Sequence, residues 1–287
     1  MKLASFGLQG RATFGVVVDT GVIDLQPRLA KQDIRSLREA LAAPGALNAV
    51  APSLRGAPAD ARLDEVTLLP PIPDPAKIIC VGLNYEAHRI ETGRDKMKYP
   101  VLFTRFADTQ VAHGQPLVKP LESDKFDFEG ELAVVIGRGG RRIAEEQAMQ
   151  HVAGYSCYHD GSVRDWQGHS PQFTPGKNFP GSGGFGPWLV TPDEAPPPAE
   201  MVLSTRLNGI EMQRSGVSDL IFSVPYLIAY ISRFTALTPG DVIATGTPGG
   251  VGFARKPPIY MKAGDIAEVT ITGVGTLVNP VIAERAA

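Results

Sequence analysis

Residues 125–137 read KFDFEGELAVVIG, and this stretch predicts the strand around which the chain is organised. Its second half is a short apolar run that ends in glycine, which is typical of a buried β-strand. Its first half alternates, so Asp127, Glu129 and Glu131 share one face of the strand. Three carboxylates on one face repel each other and resist the loss of water. A hard divalent cation would relieve that cost; an exposed strand end with a solvated acidic face is the alternative.

Composition excludes several classes of protein. The chain has 287 residues, of which 43% are apolar, so it can bury a sizeable core. A formal net charge of -2, with no long run of one sign, argues against a nucleic-acid surface or a basic membrane patch. No 18-residue apolar segment and no signal-peptide core are present, and Cys80 and Cys157 have no metal-binding spacing. We therefore expect a cytoplasmic protein with two free thiols and no membrane association.

The distribution of glycine and proline predicts a β-rich α+β fold with two units. The 31 glycines and 25 prolines indicate many turns. Residues 1–70 are predicted to form a small N-terminal α+β domain, which contains a hairpin at 12–25 and a helix at 34–43. Proline-rich residues 68–77 mark the boundary, and residues 75–287 form the second, larger domain. Further along, Asn208-Gly209 predicts a tight hairpin turn.

A histidine and a glutamate follow the first predicted strand of the larger unit. His88 and Glu91 are three residues apart, and on a helix they would share a face and touch. Glu91 would then orient the imidazole and raise its basicity, so that His88 could take a proton from water. A solvated helix that carries a polar pair is the alternative.

Two glycine-rich loops lie later in the chain. Residues 174–187 hold Lys177, which would supply a positive charge to a substrate oxygen; an ordinary turn with a surface lysine is the alternative. Residues 246–252 follow a predicted buried strand, and their amides, with nearby threonine hydroxyls, could hold a carboxylate. Asp160, which ends another predicted strand, could join Glu129 and Glu131 around a cation, and its neighbour His159 is expected behind the ligands or in the core.

Five motifs, in this order, resemble the fumarylacetoacetate hydrolase superfamily over residues 75–280. They are GLNYEAHRIE, FDFEGELAVVIG, GYSCYHDGSVRDWQ, the Lys177 loop and TGTPGGVG. The resemblance is to the branch that holds acylpyruvases and 2-hydroxyhepta-2,4-diene-1,7-dioate isomerases. The sequence departs from the family pattern at His159, where asparagine is usual, at Pro180, where aspartate is frequent, and at Arg105, which is often lysine. These departures weaken any transfer of substrate choice.

The resemblance implies a fold, a cofactor and a set of site residues. The fold would be the family's mixed β-roll, and family members are commonly homodimers. A Mg²⁺ or Mn²⁺ ion would be bound by Glu129, Glu131 and Asp160. Asp127 matches no ligand position and is expected to be a solvated charge at the strand end. The implied catalytic residues are His88, Glu91 and Lys177, and the implied substrate-binding residues are Arg164, Gln167 and Thr247.

The first hypothesis for the activity is hydrolytic C–C cleavage of a β-diketo acid of the acylpyruvate or fumarylpyruvate type, in the breakdown of aromatic or sugar acids. His88, held by Glu91, would deprotonate the attacking water, and Lys177 would stabilise the developing oxyanion. The alternative is a decarboxylase, isomerase or hydratase that acts on oxaloacetate-like or 2-hydroxymuconate-type acids through a metal-stabilised enolate. A third hypothesis is a non-catalytic β-protein, and the combination of metal acids, dyad and lysine argues against it.

Overall fold

A computed structural model describes residues 1–286 of the chain. It contains eighteen strands within those residues. They are β1 (Lys2–Leu8), β2 (Arg11–Val18), β3 (Gly21–Asp24), β4 (Thr67–Leu68), β5 (Ile78–Gly82), β6 (Val101–Arg105), β7 (Gln110–Val111), β8 (Leu117–Lys119), β9 (Phe126–Asp127), β10 (Gly130–Ile136), β11 (Val152–His159), β12 (Ser162–Val163), β13 (Gly183–Val190), β14 (Val202–Leu207), β15 (Ile210–Gly216), β16 (Val242–Ala244), β17 (Ile266–Ile271) and β18 (Gly275–Ala283).

Helices are fewer and shorter than strands. The α-helices are α1 (Gln26–Leu29), α2 (Leu37–Ala42), α3 (Ala46–Leu54), α4 (Glu86–Glu91), α5 (Arg164–Gln167), α6 (Thr174–Lys177) and α7 (Val224–Phe234). Short 3₁₀ segments occupy Ala30–Gln32, Leu63–Glu65, Ala107–Thr109, Glu145–His151, Pro198–Glu200, Val217–Asp219 and Gly252–Ala254. Among the described residues, no helix combines the length and the apolar character needed to cross a bilayer.

Three sheets make up the architecture. The largest has eleven strands, nine of them in the order β3-β2-β1-β13-β11-β10-β16-β5-β6, with β4 beside β1 and β7 beside β13. A five-stranded sheet has the order β15-β14-β17-β18-β8, and β12 pairs with β9. Most neighbours are antiparallel, but three pairs are parallel: β16 with β5, β18 with β8, and β13 with β7. The β-rich α+β class and the mixed sheets that the sequence predicted are therefore confirmed.

Strand β10 is buried on both faces, which explains its unbroken apolar sequence. Leu132 and Val134 on one face belong to an apolar cluster that includes residues of the five-stranded sheet and of α7. Ala133 and Val135 on the other face belong to a second cluster, shared with residues of β1, β2 and the N-terminal helices. At Gly130 the two sheets come close, because an added Cβ would lie 2.1 Å from Thr205 Oγ1. Only glycine fits this approach.

The predicted N-terminal unit is continuous with the rest of the molecule. Strand β1 pairs with β13, so β1, β2 and β3 extend the large sheet. The second apolar cluster also contains residues from both sides of the predicted boundary. The division into domains of 1–70 and 75–287 stays a prediction about folding units. The structure adds that both segments share one sheet and one core.

Candidate active site

The predicted acidic strand does bring carboxylates together, but it forms two strands and not one. Strand β9 ends at Asp127 and β10 begins at Gly130, so Glu129 lies between the two strands. Asp160 directly follows β11, the antiparallel neighbour of β10, and its N–H donates to the Glu129 carbonyl at 2.8 Å. Glu129, Glu131 and Asp160 each offer an oxygen, and these three oxygens lie within 4.8 Å of one another. The sheet register thus brings together the three residues whose meeting could not be proved from sequence spacing.

The chemistry of this acidic group fits a divalent cation. All three side chains are buried, and all three supply the oxygen ligands that hard cations prefer. Burial, together with the carboxylates of Asp160 and Glu129, raises the pKa of Glu131 well above its usual range. A bound cation would favour the ionised form of this carboxyl. The group therefore combines hard donors with an energetic need for positive charge.

Two buried cationic side chains contact the same acids. Lys177 Nζ lies 2.6 Å from Glu129 Oε2 and 2.5 Å from Asp160 Oδ2. Arg105 donates to Asp160 Oδ1 at 2.6 Å, and it also reaches the Ser182 hydroxyl at 2.6 Å. Burial by itself would lower the pKa of Lys177, but Asp160 and Glu129 outweigh it and raise that pKa above its usual value. Lys177 is therefore a charged residue of the site, not a surface lysine.

Asp127 corrects the expectation of a solvated strand-end charge. Its side chain is fully buried, and its oxygens accept from the N–H groups of Phe128, Gly252 and Phe253 at 2.8–3.0 Å. Arg164 Nε also donates to Asp127 Oδ2 at 2.8 Å. Asp127 is no member of the acidic group above. It anchors Arg164 and the segment that follows the second glycine-rich loop.

Arg164 connects Asp127 with the acidic group. Its Nη2 lies 2.6 Å from Glu129 Oε1, and its Nη1 donates to Gln167 Oε1 at 2.9 Å. The two predicted substrate-binding residues on α5 are thus in contact with each other. Burial raises the pKa of Glu129, but Arg164 and then Lys177 outweigh it, and the net pKa lies below the usual range.

The predicted dyad forms on α4. His88 Nδ1 lies 2.7 Å from Glu91 Oε1, as expected for residues three apart on a helix. A carboxylate can only accept, so Nδ1–H donates and Nε2 is left as the nitrogen that exchanges a proton. The other oxygen of Glu91 accepts from the Gly250 N–H at 2.8 Å. The dyad is therefore anchored to the second glycine-rich loop.

Three amides of that loop bind carboxylates of the protein itself. The Gly246 N–H donates to Glu131 Oε2 at 2.9 Å, and the Gly250 and Gly252 N–H groups go to Glu91 and Asp127. The Thr247 hydroxyl donates to the Gly130 carbonyl and accepts from Gln213. The loop holds the protein's own site carboxylates in place. These three amides and the Thr247 hydroxyl have partners within the chain, and the direct role of Thr247 in substrate binding stays a prediction.

One cavity of about 210 Å³ gathers most of the predicted residues. It has room for several water molecules or for a small organic acid. Its polar and charged lining residues are His88, Thr92, Arg94, Glu129, Glu131, Arg164, Gln167, Lys177 and Thr247. Glu91 and Asp160 do not line the cavity. Glu91 contacts the lining residue His88, and Asp160 lies beside the lining residues Glu129 and Glu131. Apolar side chains such as Phe103 and Phe173 complete the wall.

Some site residues were outside the sequence prediction. Asp127 and Gly250 hold Arg164 and Glu91, and their partners lie far away in the chain. Arg94 lines the cavity from the polar segment after α4 and was not among the predicted site residues. His159 is buried in the core as expected, and burial, followed by the nearby Arg105, lowers its pKa to about 3. A neutral His159 fits a packing role.

Comparisons with known proteins match most of the chain to the family that the five sequence motifs resemble. The family model described as fumarylacetoacetate (FAA) hydrolase C-terminal matches residues 77–282. A mitochondrial oxaloacetate tautomerase of Xenopus laevis is 44% identical over 76% of this chain and 69% of its own length. An oxaloacetate tautomerase of Bacillus subtilis is 43% identical over 76% of this chain and 74% of its own length.

Solved structures agree over the whole length. A fumarylacetoacetate hydrolase from Exiguobacterium antarcticum is 36% identical with a TM-score of 0.83, covering 99% of this chain and 100% of that one. A maleylpyruvate hydrolase from Sphingobium, in complex with manganese(II) and pyruvate, is 28% identical with a TM-score of 0.83 at the same coverage. The fumarylacetoacetate hydrolase fold predicted from the five motifs is confirmed.

Proposed function

This chain belongs to the fumarylacetoacetate hydrolase family, and we propose that it is a divalent-metal-dependent oxaloacetate tautomerase. The observation that carries this proposal is the 43–44% identity to oxaloacetate tautomerases from a vertebrate and a bacterium. It favours the oxaloacetate alternative of the sequence analysis over acylpyruvate hydrolysis. The reaction interconverts the enol and keto forms by moving one proton between the C2 oxygen and C3.

The cavity supplies the groups that such a proton transfer needs. His88 lines the cavity, and its Nε2 would accept or return the proton at C3. Glu91 would keep the imidazole in the tautomer that has Nε2 free and would stabilise its charged form. Arg164 and Gln167 would orient the carboxylate next to the reacting carbonyl, since both line the cavity beside the acidic group.

Glu129, Glu131 and Asp160 would bind the cation, which we propose to be Mg²⁺ or Mn²⁺. The manganese(II) bound to the related maleylpyruvate hydrolase supports this choice. When bound, such an ion polarises a 2-oxo group and so favours enolisation. Lys177, next to two of these acids, would add positive charge near the C2 oxygen.

Hydrolytic C–C cleavage is the second candidate, and two observations support it. The solved relatives include a fumarylacetoacetate hydrolase and a maleylpyruvate hydrolase. A histidine held by a carboxylate can also activate water. Hydrolysis requires a water molecule and a broken C–C bond, whereas tautomerisation requires neither, so products separate the two. The role in aromatic or sugar acid breakdown stays a prediction.

The expected homodimer is also a proposal. Strand β6 ends the order of the large sheet, and exposed edges of this kind pair readily. Near it, the Tyr230 ring lies 6.0–6.2 Å, centroid to centroid, from the rings of Tyr99, Tyr226 and Phe234. Tyr99 and Phe234 are more than half exposed. Light scattering after size exclusion should give twice the 30.6 kDa chain mass, and a monomer mass would contradict the proposal.

A substrate panel tests the function. Wild-type protein and His88→Asn would be supplied with enol oxaloacetate, acetylpyruvate and fumarylpyruvate, in Mg²⁺ or Mn²⁺. We expect catalysed ketonisation of oxaloacetate without release of CO₂, and a loss of about 10²–10⁴-fold in kcat for the variant. Hydrolysis of an acylpyruvate with no effect on oxaloacetate would replace the proposal by the second candidate.

A further inference from the structure

Arg94 is held at the cavity by the turn that ends α4. Gly93 has a φ of 65°, in the left-handed region that favours glycine. The Gly93 N–H donates to the Ile90 carbonyl at 3.0 Å, and the Arg94 N–H donates to the Arg89 carbonyl at 3.1 Å. These two bonds define a Schellman motif, which reverses the chain direction in a fixed way. Arg94 is therefore placed by a defined turn.

A second contact fixes the same residue from its carbonyl side. The Arg89 guanidinium lies 2.7 and 3.1 Å from the two carboxylate oxygens of Glu86 on the same helix. It also donates to the Arg94 carbonyl at 2.5 Å. The backbone of Arg94 is thus bound through both its N–H and its C=O. Arg94 itself is exposed and is one of the residues that line the cavity.

Arg94 differs from the other cations of the cavity in having no acid of its own. Lys177 contacts Glu129 and Asp160, and Arg164 contacts Asp127 and Glu129. Within residues 1–286, no ion pair of 4.0 Å or less joins the Arg94 guanidinium to a carboxylate. Of these three cations, Arg94 is therefore the one whose charge no carboxylate of the described residues already balances.

We propose that Arg94 binds the second carboxylate of a dicarboxylic 2-oxo acid, and so selects dicarboxylates over monocarboxylates. The assignment rests on the proposed function, because that function places the 2-oxo acid end of the substrate at Glu129, Glu131 and Arg164. A guanidinium at the cavity edge then meets the distal carboxylate, which it can bind through two parallel hydrogen bonds. The same cavity of about 210 Å³ is lined by Arg94, Glu129, Glu131 and Arg164, so one small ligand can meet both ends.

Two ligands of equal chain length test the assignment without relying on turnover. 2-Oxoglutarate and 2-oxopentanoate share the 2-oxo acid end and differ in a terminal carboxylate or methyl group. Their dissociation constants would be measured by calorimetry in Mg²⁺ for wild-type protein, Arg94→Gln, Arg94→Lys and Lys96→Gln. Lys96→Gln is the matched control, because it removes one positive charge from the same exposed segment but does not line the cavity. The KM for oxaloacetate would be measured in parallel.

We expect Arg94→Gln to weaken 2-oxoglutarate binding about tenfold and to change 2-oxopentanoate binding less than about twofold. The KM for oxaloacetate should rise by a similar factor, Arg94→Lys should recover part of the loss, and Lys96→Gln should change none of these values. Equal weakening of both ligands, or no preference of the wild type for 2-oxoglutarate, would overturn the assignment. Selective weakening without oxaloacetate turnover would support Arg94 and refute the proposed function. Oxaloacetate turnover with an unchanged KM in Arg94→Gln would support the proposed function and refute the role of Arg94.

Discussion

Glu129 and Glu131 are two residues apart, yet their environments move the pKa values of their carboxyls in opposite directions. Burial and neighbouring carboxylates raise the pKa of Glu131. Glu129 is buried too, but Arg164 and Lys177 bring its pKa below the usual range. The Glu129 carboxylate thus pairs with buried cations. The Glu131 carboxylate lies where its ionised form is unfavourable unless a metal ion is bound.

The two glutamates should therefore differ in their effect on stability. Burial raises the pKa of the Glu131 carboxyl, so the folded state disfavours its ionisation, and the stability that this carboxyl contributes falls as pH rises towards the folded pKa. Glu131→Gln removes the ionisable group and keeps its shape, so we expect it to raise the free energy of unfolding in chelator by about 1 kcal/mol. Glu129→Gln leaves Arg164 and Lys177 short of a partner and should lower it by about 3 kcal/mol. Denaturant unfolding of both variants checks these signs, and a loss of stability in Glu131→Gln would contradict the account.

Both substitutions should also remove the stabilisation that added Mg²⁺ or Mn²⁺ gives to the wild type, because each takes away a proposed ligand. Thermal unfolding with and without the ion measures this. A metal-dependent rise in Tm that survives in either variant would exclude that residue from the ligand set.

Residues with local partners were easier to predict than residues with distant ones. His88 and Glu91 could be paired from their spacing, because three residues on a helix fix the contact. Asp127 could not be placed, because its partners Arg164 and Gly252 lie 37 and 125 residues away. Arg94 was not predicted as a site residue either, since its position depends on a turn and on a contact with Arg89 that only the folded chain shows.

At the scale of elements, short turns followed their sequence signals. Asn208 and Gly209 have φ values of 53° and 77°, as a two-residue hairpin with two left-handed positions requires. The hairpin joins β14 to β15 as predicted. The acidic strand was predicted as one element but forms two, since strand pairing stops after Asp127 and resumes at Gly130. Asp127, at the end of the first strand, binds Arg164.

The glycine-rich loop after β16 links several parts of the site. Gly250 has a φ of 100°, and an added Cβ would lie 2.3 Å from the Met212 carbonyl oxygen. We expect Gly250→Ala to shift the loop, weaken the bond from Gly250 N–H to Glu91 and lower kcat by about tenfold or more. Steady-state kinetics and Tm measure the effect.

Gly264→Ala is the matched control for this variant. Gly264 has a similar φ of 94°, but no atom lies within 4 Å of an added Cβ. It should lose about 1 kcal/mol of stability from backbone strain and retain the wild-type kcat. If the two variants lost activity in proportion to their loss of stability, the proposed link between Gly250 and the dyad would be wrong.

At the scale of the molecule, the two sheets and the N-terminal segment place the site at the ends of β10 and β11. The large sheet is packed on both faces, and one of those faces is covered partly by residues 1–70. Sequence patterns identified the class of fold and, through five motifs, the family. They did not indicate that β1 would pair with β13, because such pairing joins segments almost 190 residues apart.

This continuity predicts that residues 75–287 do not form a stable protein alone. Removing residues 1–70 would leave β13 without its neighbour β1 and expose part of a large apolar cluster. We expect the shortened chain to aggregate or to lack a cooperative unfolding transition by circular dichroism. A folded and active fragment would instead support the division into two independent domains.

The most direct test of the account is the initial rate of enol oxaloacetate ketonisation, followed by the ultraviolet absorbance of the enol. The rate would be measured with metal-stripped protein and again after Mg²⁺ or Mn²⁺ is restored. We expect the enzyme-dependent rate to disappear when the metal is stripped, to return with the ion, and to stay absent in Glu131→Gln after the ion is restored. An enzyme-dependent rate that is unchanged by stripping, or that survives in this variant, would contradict it.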